Sequence, residues 1–155
     1  MPPTSQPTSR HCFLCGRENP VGLKMRWKTD HEKGEIRGTV TVPEHFNGYP
    51  GVVHGGIVAA ILDETAGRAV LLSGDDQDLM MTLKLEVSYR RPTPTATPLT
   101  AVGRIRRRTA RRAIVEGELL LPDGTVAADC TAVVVKPPEK VETAWEKEKP
   151  FWKVD

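Results

Sequence analysis

The stretch Val53-His54-Gly55-Gly56-Ile57-Val58-Ala59-Ala60-Ile61-Leu62-Asp63-Glu64 holds the residues best suited to chemistry. A histidine and two glycines run straight into an apolar segment carrying two adjacent acids. Read as a helix start, Gly55 and Gly56 present backbone N–H groups that have no acceptor within the helix, and glycine lets a ligand approach them closely. The helix dipole favours negative charge at that end. Such donors stabilise the oxyanion of acyl transfer, and a carboxylate in apolar surroundings supplies a general base or a nucleophile.

Helical geometry separates the two acids. Asp63, nine residues after His54, shares a stripe with Gly56, Ala59, Ala60, Ala66 and Gly67, all small, which leaves space beside its carboxylate. Tight packing on a sheet explains the small residues equally well, but it does not explain an acid among them, because an unpaired buried carboxylate is costly. Glu64 is turned by about 100° from Asp63. Arg68 lies four residues further on, in the favourable order for a solvated or interfacial ion pair. His54 by itself reads equally as a turn residue or as part of a site.

The elements that must position these groups follow from periodicity. Leu23 to Lys28 and Glu35 to Val42 are expected strands, the second with Ile36, Gly38, Val40 and Val42 on one parity and stopped by Pro43. The helix is expected from about Ile57 to Ser73, apolar on most faces and so buried on nearly every side, with Gly74 as its stop. The period then becomes two. Met81, Leu83, Leu85, Val87 and Tyr89 alternate with Thr82, Lys84, Glu86 and Ser88 in a half-buried strand, ended by Pro92. Leu99 to Arg107, Arg112 to Leu121 and Thr125 to Val135 follow as strands, the last two joined through Pro122-Asp123-Gly124. Two strands, a helix and four strands predict an α+β fold: an antiparallel sheet of about six strands with one long helix on a face.

Composition sets the bounds. With 155 residues, 27% charged and 39% hydrophobic, the chain reads as one soluble globular domain. A net charge of +2 is too mild to argue for nucleic acid. No stretch approaches a transmembrane helix and the N-terminus is polar and Pro-rich, so no membrane association and a cytoplasmic location are expected. Residues 1–10 read as a mobile head, 11–136 as the folded domain and 137–155 as a charged tail. Trp145 and Trp152 in that tail predict docking onto the body or onto a neighbouring subunit.

Cys12 and Cys15 form a Cys-x-x-Cys beside His11. A structural zinc takes four ligands and no second Cys/His pair follows, so a turn leading into the first strand is the expectation, with no metal and no cofactor. Cys130 shares parity with Val126, Ala128, Ala132 and Val134 and reads as core. Six arginines between Arg104 and Arg112 read either as a solvated hairpin tip or as a binder of phosphates, with Arg90 and Arg91 as further cationic candidates.

The run Asn47-Gly48-Tyr49-Pro50-Gly51-Val52-Val53-His54-Gly55-Gly56, followed by Leu62-Asp63-Glu64, resembles the hotdog-fold thioesterases of the phenylacetate-degradation (PaaI-like) group over roughly residues 23–136. The resemblance implies a curved antiparallel sheet wrapped around a central helix. It also implies homodimers or homotetramers with active sites at the subunit interface, and acyl-CoA thioesters as substrates. By residue it implies Asp63 as general base or nucleophile, the Gly55 N–H as oxyanion donor, and His54 shaping the turn or bonding near the thioester. Thr82, seven residues before Tyr89, would hold the attacking water from the partner subunit, and Asn47 matches an asparagine upstream of the histidine. Gly56, Glu64, Tyr89, Arg90 and Arg91 are the expected substrate contacts. A non-catalytic acyl-CoA-binding hotdog protein and a hotdog hydratase or dehydratase are the alternatives.

Overall fold

A computed structural model describes residues 1–155. Its main sheet takes β1 (Thr4–Ser5), β2 (Arg26–Asp30), β3 (Glu35–Thr41), β6 (Met81–Tyr89), β7 (Pro98–Arg108), β8 (Arg112–Leu120) and β9 (Val126–Val135). A small ladder of β4 (Asn47–Tyr49) and β5 (Val52–Val53) leads into α1 (Gly55–Arg68), and α2 (Glu139–Glu146) lies in the tail. The sheet order is β1-β2-β3-β7-β8-β9-β6, with every neighbouring pair antiparallel. The arrangement is the expected α+β one, with seven strands where about six were expected. The extra strand comes from the expected mobile head: Thr4 and Ser5 pair with Thr29 and Lys28, and Gln6 is buried, its amide donating to Thr29 Oγ1 at 3.0 Å.

The core lies between α1 and the sheet. Val58, Ile61, Leu62, Thr65 and Ala66 point from the helix toward strand residues such as Ile36, Leu99, Ala101, Val115, Ala132 and Val134, all buried. Trp27 Nε1 donates to Thr65 Oγ1 at 3.1 Å inside this layer. A Cβ on Gly103 would collide with the Thr65 carbonyl, so a glycine in β7 is what lets helix and sheet approach so closely. The helix starts two residues earlier than expected, tightens into a 3-10 segment over Ala69–Ser73, and stops at Gly74 with φ +86°.

Two expectations about burial fail within one chain. The helix is not covered on nearly every side: Gly56 is exposed and Ala59, Ala60, Asp63 and Gly67 are only half-buried, so the small-residue stripe is its open face. The strand β6 is not half-buried either, since Met81, Leu83 and Tyr89 are 42%, 64% and 55% exposed. The physical reason is position. β6 is the sheet's edge, and only Leu85 and Val87 lie against the core.

The tail docks on its own chain. Trp152 Nε1 donates to the Asp76 carbonyl at 2.7 Å, Trp145 and Trp152 pack edge to face, and Lys153 pairs with Thr8.

Candidate active site

The start of α1 is capped by its own histidine. His54 Nδ1 accepts the Gly56 N–H at 2.9 Å, which places the ring proton of the neutral form on Nε2 and occupies one of the two glycine donors. The Gly55 N–H has no partner in the chain, while its carbonyl accepts the Tyr89 hydroxyl at 2.7 Å. Tyr89 at the end of β6 therefore holds the peptide that follows the free donor. His54, Gly55, Tyr89, Arg90 and Arg91 line one cleft of 860 Å³, together with Gly48, Tyr49 and Val52. Arg90 is already bidentate with Asp129, at 2.9 and 3.3 Å, whereas Arg91 has no ion-pair partner and is exposed.

The third turn of α1 forms a second, smaller cleft. Asp63, Glu64 and Thr82 line 210 Å³ with an apolar end made by Val70, Leu71, Leu79, Met80 and Trp152. Thr82 Oγ1 donates to Asp63 Oδ1 at 2.6 Å within one chain, so the two residues form one group. Strict alternation in β6 would have turned Thr82 away from the helix. The register shows why it does not: Thr82 pairs with Val134 but Lys84 pairs with Val133, so Leu83 is an inserted bulge residue. Val134 faces the core, and the bulge puts Thr82 on that same face.

Glu64 makes the expected pair with Arg68, at 3.0 Å, and its own side chain stays 27% exposed. Arg68 is buried, stacked over the Trp27 ring with its guanidinium carbon 4.3 Å from the centroid. Burial pushes the Glu64 carboxyl above the usual range, Arg68 opposes that, and Cys15 and Asp63 reinforce it. The neighbourhood of Cys15 is the part that sequence reasoning missed. Cys12, Cys15 and Glu64 bring their ligand atoms within 4.8 Å of one another. A hydrogen bond from Cys12 lowers the Cys15 thiol to about 5 against the effect of burial, helped by Arg68 and Ser9, while the Cys12 thiol is raised. The Cys-x-x-Cys spacing was the available signal, but nothing local pointed to Glu64, which lies 49 residues beyond Cys15.

Two sets of predicted residues stay outside both clefts. Asn47 Nδ2 donates to Glu44 Oε1 at 2.8 Å, an acid that also accepts the Gly51 N–H at 2.9 Å. These two bonds, together with one from Thr95, hold the Glu44 carboxyl below the usual range, with the Thr95 contribution largest. The arginine run forms the β7–β8 hairpin tip, with Arg104, Arg106 and Arg108 in ion pairs to Glu35, Glu118, Glu116 and Asp78. Arg112 pairs across β9 with Val135, which also pairs with Met81, so the tip lies at the opposite end of β6 from Tyr89. Cys130 is core, as expected, and burial raises its thiol to about 12.

The sequence pattern of the thioesterase superfamily matches residues 50–128, half of the chain. The chain belongs to the thioesterase superfamily. It is 30% identical over 124 residues to the mouse acyl-coenzyme A thioesterase THEM4, covering 77% of this chain and 52% of that protein. The chain thus spans about half the length of the curated relative it matches. Among solved structures, the thioesterase superfamily protein RHA08564 superposes with a TM-score of 0.73 at 33% identity, covering 81% of this chain and 63% of the other. The Ralstonia eutropha phenylacetic acid degradation-related protein gives 0.64 at 30% identity, covering 73% and 85%. These neighbours establish the hotdog fold and the PaaI-like grouping of this superfamily member.

Proposed function

We propose that the chain hydrolyses acyl-CoA thioesters as a two-fold dimer, in which Gly55 of one protomer and the partner's Asp63 act on one carbonyl. The observation that carries this reading is a separation. Gly55 and Asp63 lie eight residues apart on one straight helix, about 12 Å at 1.5 Å per residue. A single carbonyl cannot touch both on one chain. The midpoint is Ala59, on the open small-residue stripe. Two helices crossing there in opposite directions bring each Gly55 beside the other chain's Asp63. The free edge of β6, with its exposed Met81 and Leu83, offers the pairing surface such a dimer needs.

In that assembly the cleft beside Gly55 takes the CoA portion, with Arg91 available for a phosphate and Tyr49 and Tyr89 for the adenine or pantetheine surface. The small cleft beside the partner's Asp63 takes the acyl group. The thioester oxygen accepts the Gly55 N–H, and that bond strengthens as negative charge develops. Asp63, oriented by the Thr82 hydroxyl, removes a proton from water as the water oxygen bonds to the carbonyl carbon. The tetrahedral intermediate then expels the CoA thiolate, which takes up the proton. The alternative course has Asp63 attack directly to give a mixed anhydride that water opens.

The test is thiol release from a panel of acyl-CoAs of increasing chain length. Turnover by the wild type is expected, and Asp63→Asn should lower kcat by about 10³-fold with the fold intact by circular dichroism. No turnover on any member, with stoichiometric binding, would favour the non-catalytic acyl-CoA binder instead.

A further inference from the structure

Beside the small cleft, the N-terminal lead-in brings two cysteines to Glu64 in a cluster that the hydrolytic reading does not use. Cys12-Phe13-Leu14-Cys15-Gly16 folds as a tight knuckle. The Leu14 N–H donates to Cys12 Sγ at 3.3 Å, and the Gly16 N–H returns to the Cys12 carbonyl at 2.8 Å. Any Cβ on Gly16 would collide with the backbone of Cys12, so the turn admits only glycine there. The knuckle aims both sulfurs at the third turn of α1, where Glu64 closes the group with all three ligand atoms within 4.8 Å.

We propose that Cys12, Cys15 and Glu64 form a binding site for a thiophilic divalent cation of the zinc class, with solvent as the fourth ligand. Ligands bound at 2.0–2.3 Å to a tetrahedral centre lie about 3.3–3.8 Å from one another, so the group needs to contract by about 1 Å. The charge also balances. Two thiolates and a carboxylate set against the Arg68 guanidinium leave about two negative charges for one divalent cation to cancel. Binding forms two metal–sulfur bonds and releases to solvent the one proton that the hydrogen-bonded sulfur pair holds. Arg68 keeps its bond to Glu64 Oε1 while the other carboxylate oxygen turns to the metal. The half-buried Cys12 provides the way in, and Cys15, buried behind it, shields the inner side.

The consequence is mechanical. The metal ties the lead-in to Glu64, the residue next to Asp63, and so fixes the turn that carries the acid. This does not depend on the protein being a thioesterase, and its test does not use activity.

Protein reduced and stripped with chelator is titrated with Co²⁺ alone. One cobalt per chain is expected, with a thiolate-to-metal charge-transfer band and the visible bands of a four-coordinate site, displaced by Zn²⁺. Cys12→Ser should cut the charge-transfer band to half or less, and Glu64→Gln should weaken binding about tenfold or more. Because either variant could misfold, a second measurement uses the unaltered chain: Zn²⁺ should protect Cys12 from alkylation by iodoacetamide. A wild-type chain with both thiols reduced that shows no charge-transfer band and no protection overturns the proposal, leaving a dithiol only. A band of undiminished intensity in Cys12→Ser overturns it as well.

Discussion

The two ends of α1 are built for opposite charges. At its first turn, backbone donors, an exposed histidine and two arginines line a wide cleft of 860 Å³. At its third turn, two acids and a threonine line a small one of 210 Å³, closed by aliphatic side chains and a tryptophan. The helix dipole points the same way as this division, with its positive end at the donors. Neither end is a complete site. The donor end lacks a base, because the Nδ1 of His54 is spent on the Gly56 N–H. The acid end lacks a donor for a carbonyl oxygen, because the Thr82 hydroxyl is spent on Asp63. Each has what the other is missing, which is the physical argument for joining two copies.

The sharpest way to break the donor end is Gly55→Pro. Gly55 is the first helical residue, where proline is tolerated, and His54 at φ −56°, ψ 134° has the extended conformation that a following proline requires. The change removes one N–H and leaves the helix in place. We expect kcat to fall by about 10²–10³ while the melting temperature stays nearly unchanged. A variant that loses its fold together with its activity would show instead that the helix start is structural.

The acid end rests on a buried anchor. Asp78 takes Arg108 and Lys136, the latter at 2.7 Å, and leads directly into Leu79 and Met80 of the small cleft. Burial alone would raise the Asp78 carboxyl, but its bonds to Lys136 and Arg108 outweigh that and hold it below the usual range. A group lowered in this way contributes stability that is complete above the ordinary aspartate value and is lost as the pH falls through the lower folded value. Chemical denaturation should therefore show Asp78→Asn less stable by about 1–2 kcal/mol at neutral pH, a difference that shrinks below about pH 4. A constant difference across that range would contradict the anchor.

A smaller effect is expected at the apolar end. Trp152→Ala opens the wall of the small cleft, so the preferred acyl chain should lengthen and kcat/KM for the longest acyl-CoAs in the panel should rise about threefold against the shortest. An unchanged profile would place the acyl group elsewhere.

Local signals carried the donor end into the sequence reading. The glycine pair, the helix period and the four-residue spacing of Glu64 and Arg68 are all short-range, and the fold places them as expected. The acid end was only half legible. Asp63 stood out by its small neighbours, but alternation turned Thr82 the wrong way because one bulge residue, Leu83, is invisible in a pattern of period two. The approach of Cys15 to Glu64 spans 49 residues and depends on how the lead-in crosses the helix, which no local rule encodes. Asn47 matched a motif by type, yet Glu44, three residues before it, holds its amide. The first residues read as mobile from composition alone, but their backbone pairs with the edge of β2, a contact that side-chain types do not report.

The claim that one site is shared between two chains can be tested by complementation. Gly55→Pro and Asp63→Asn chains carrying different tags are co-expressed, and the doubly tagged dimers are purified together with both parents. In a mixed dimer one site carries both lesions and the other carries neither, so the doubly tagged dimers should regain about half of the wild-type thiol release although each parent is nearly inactive. Mixed dimers as inactive as their parents would contradict the shared site and return both halves of the chemistry to a single chain.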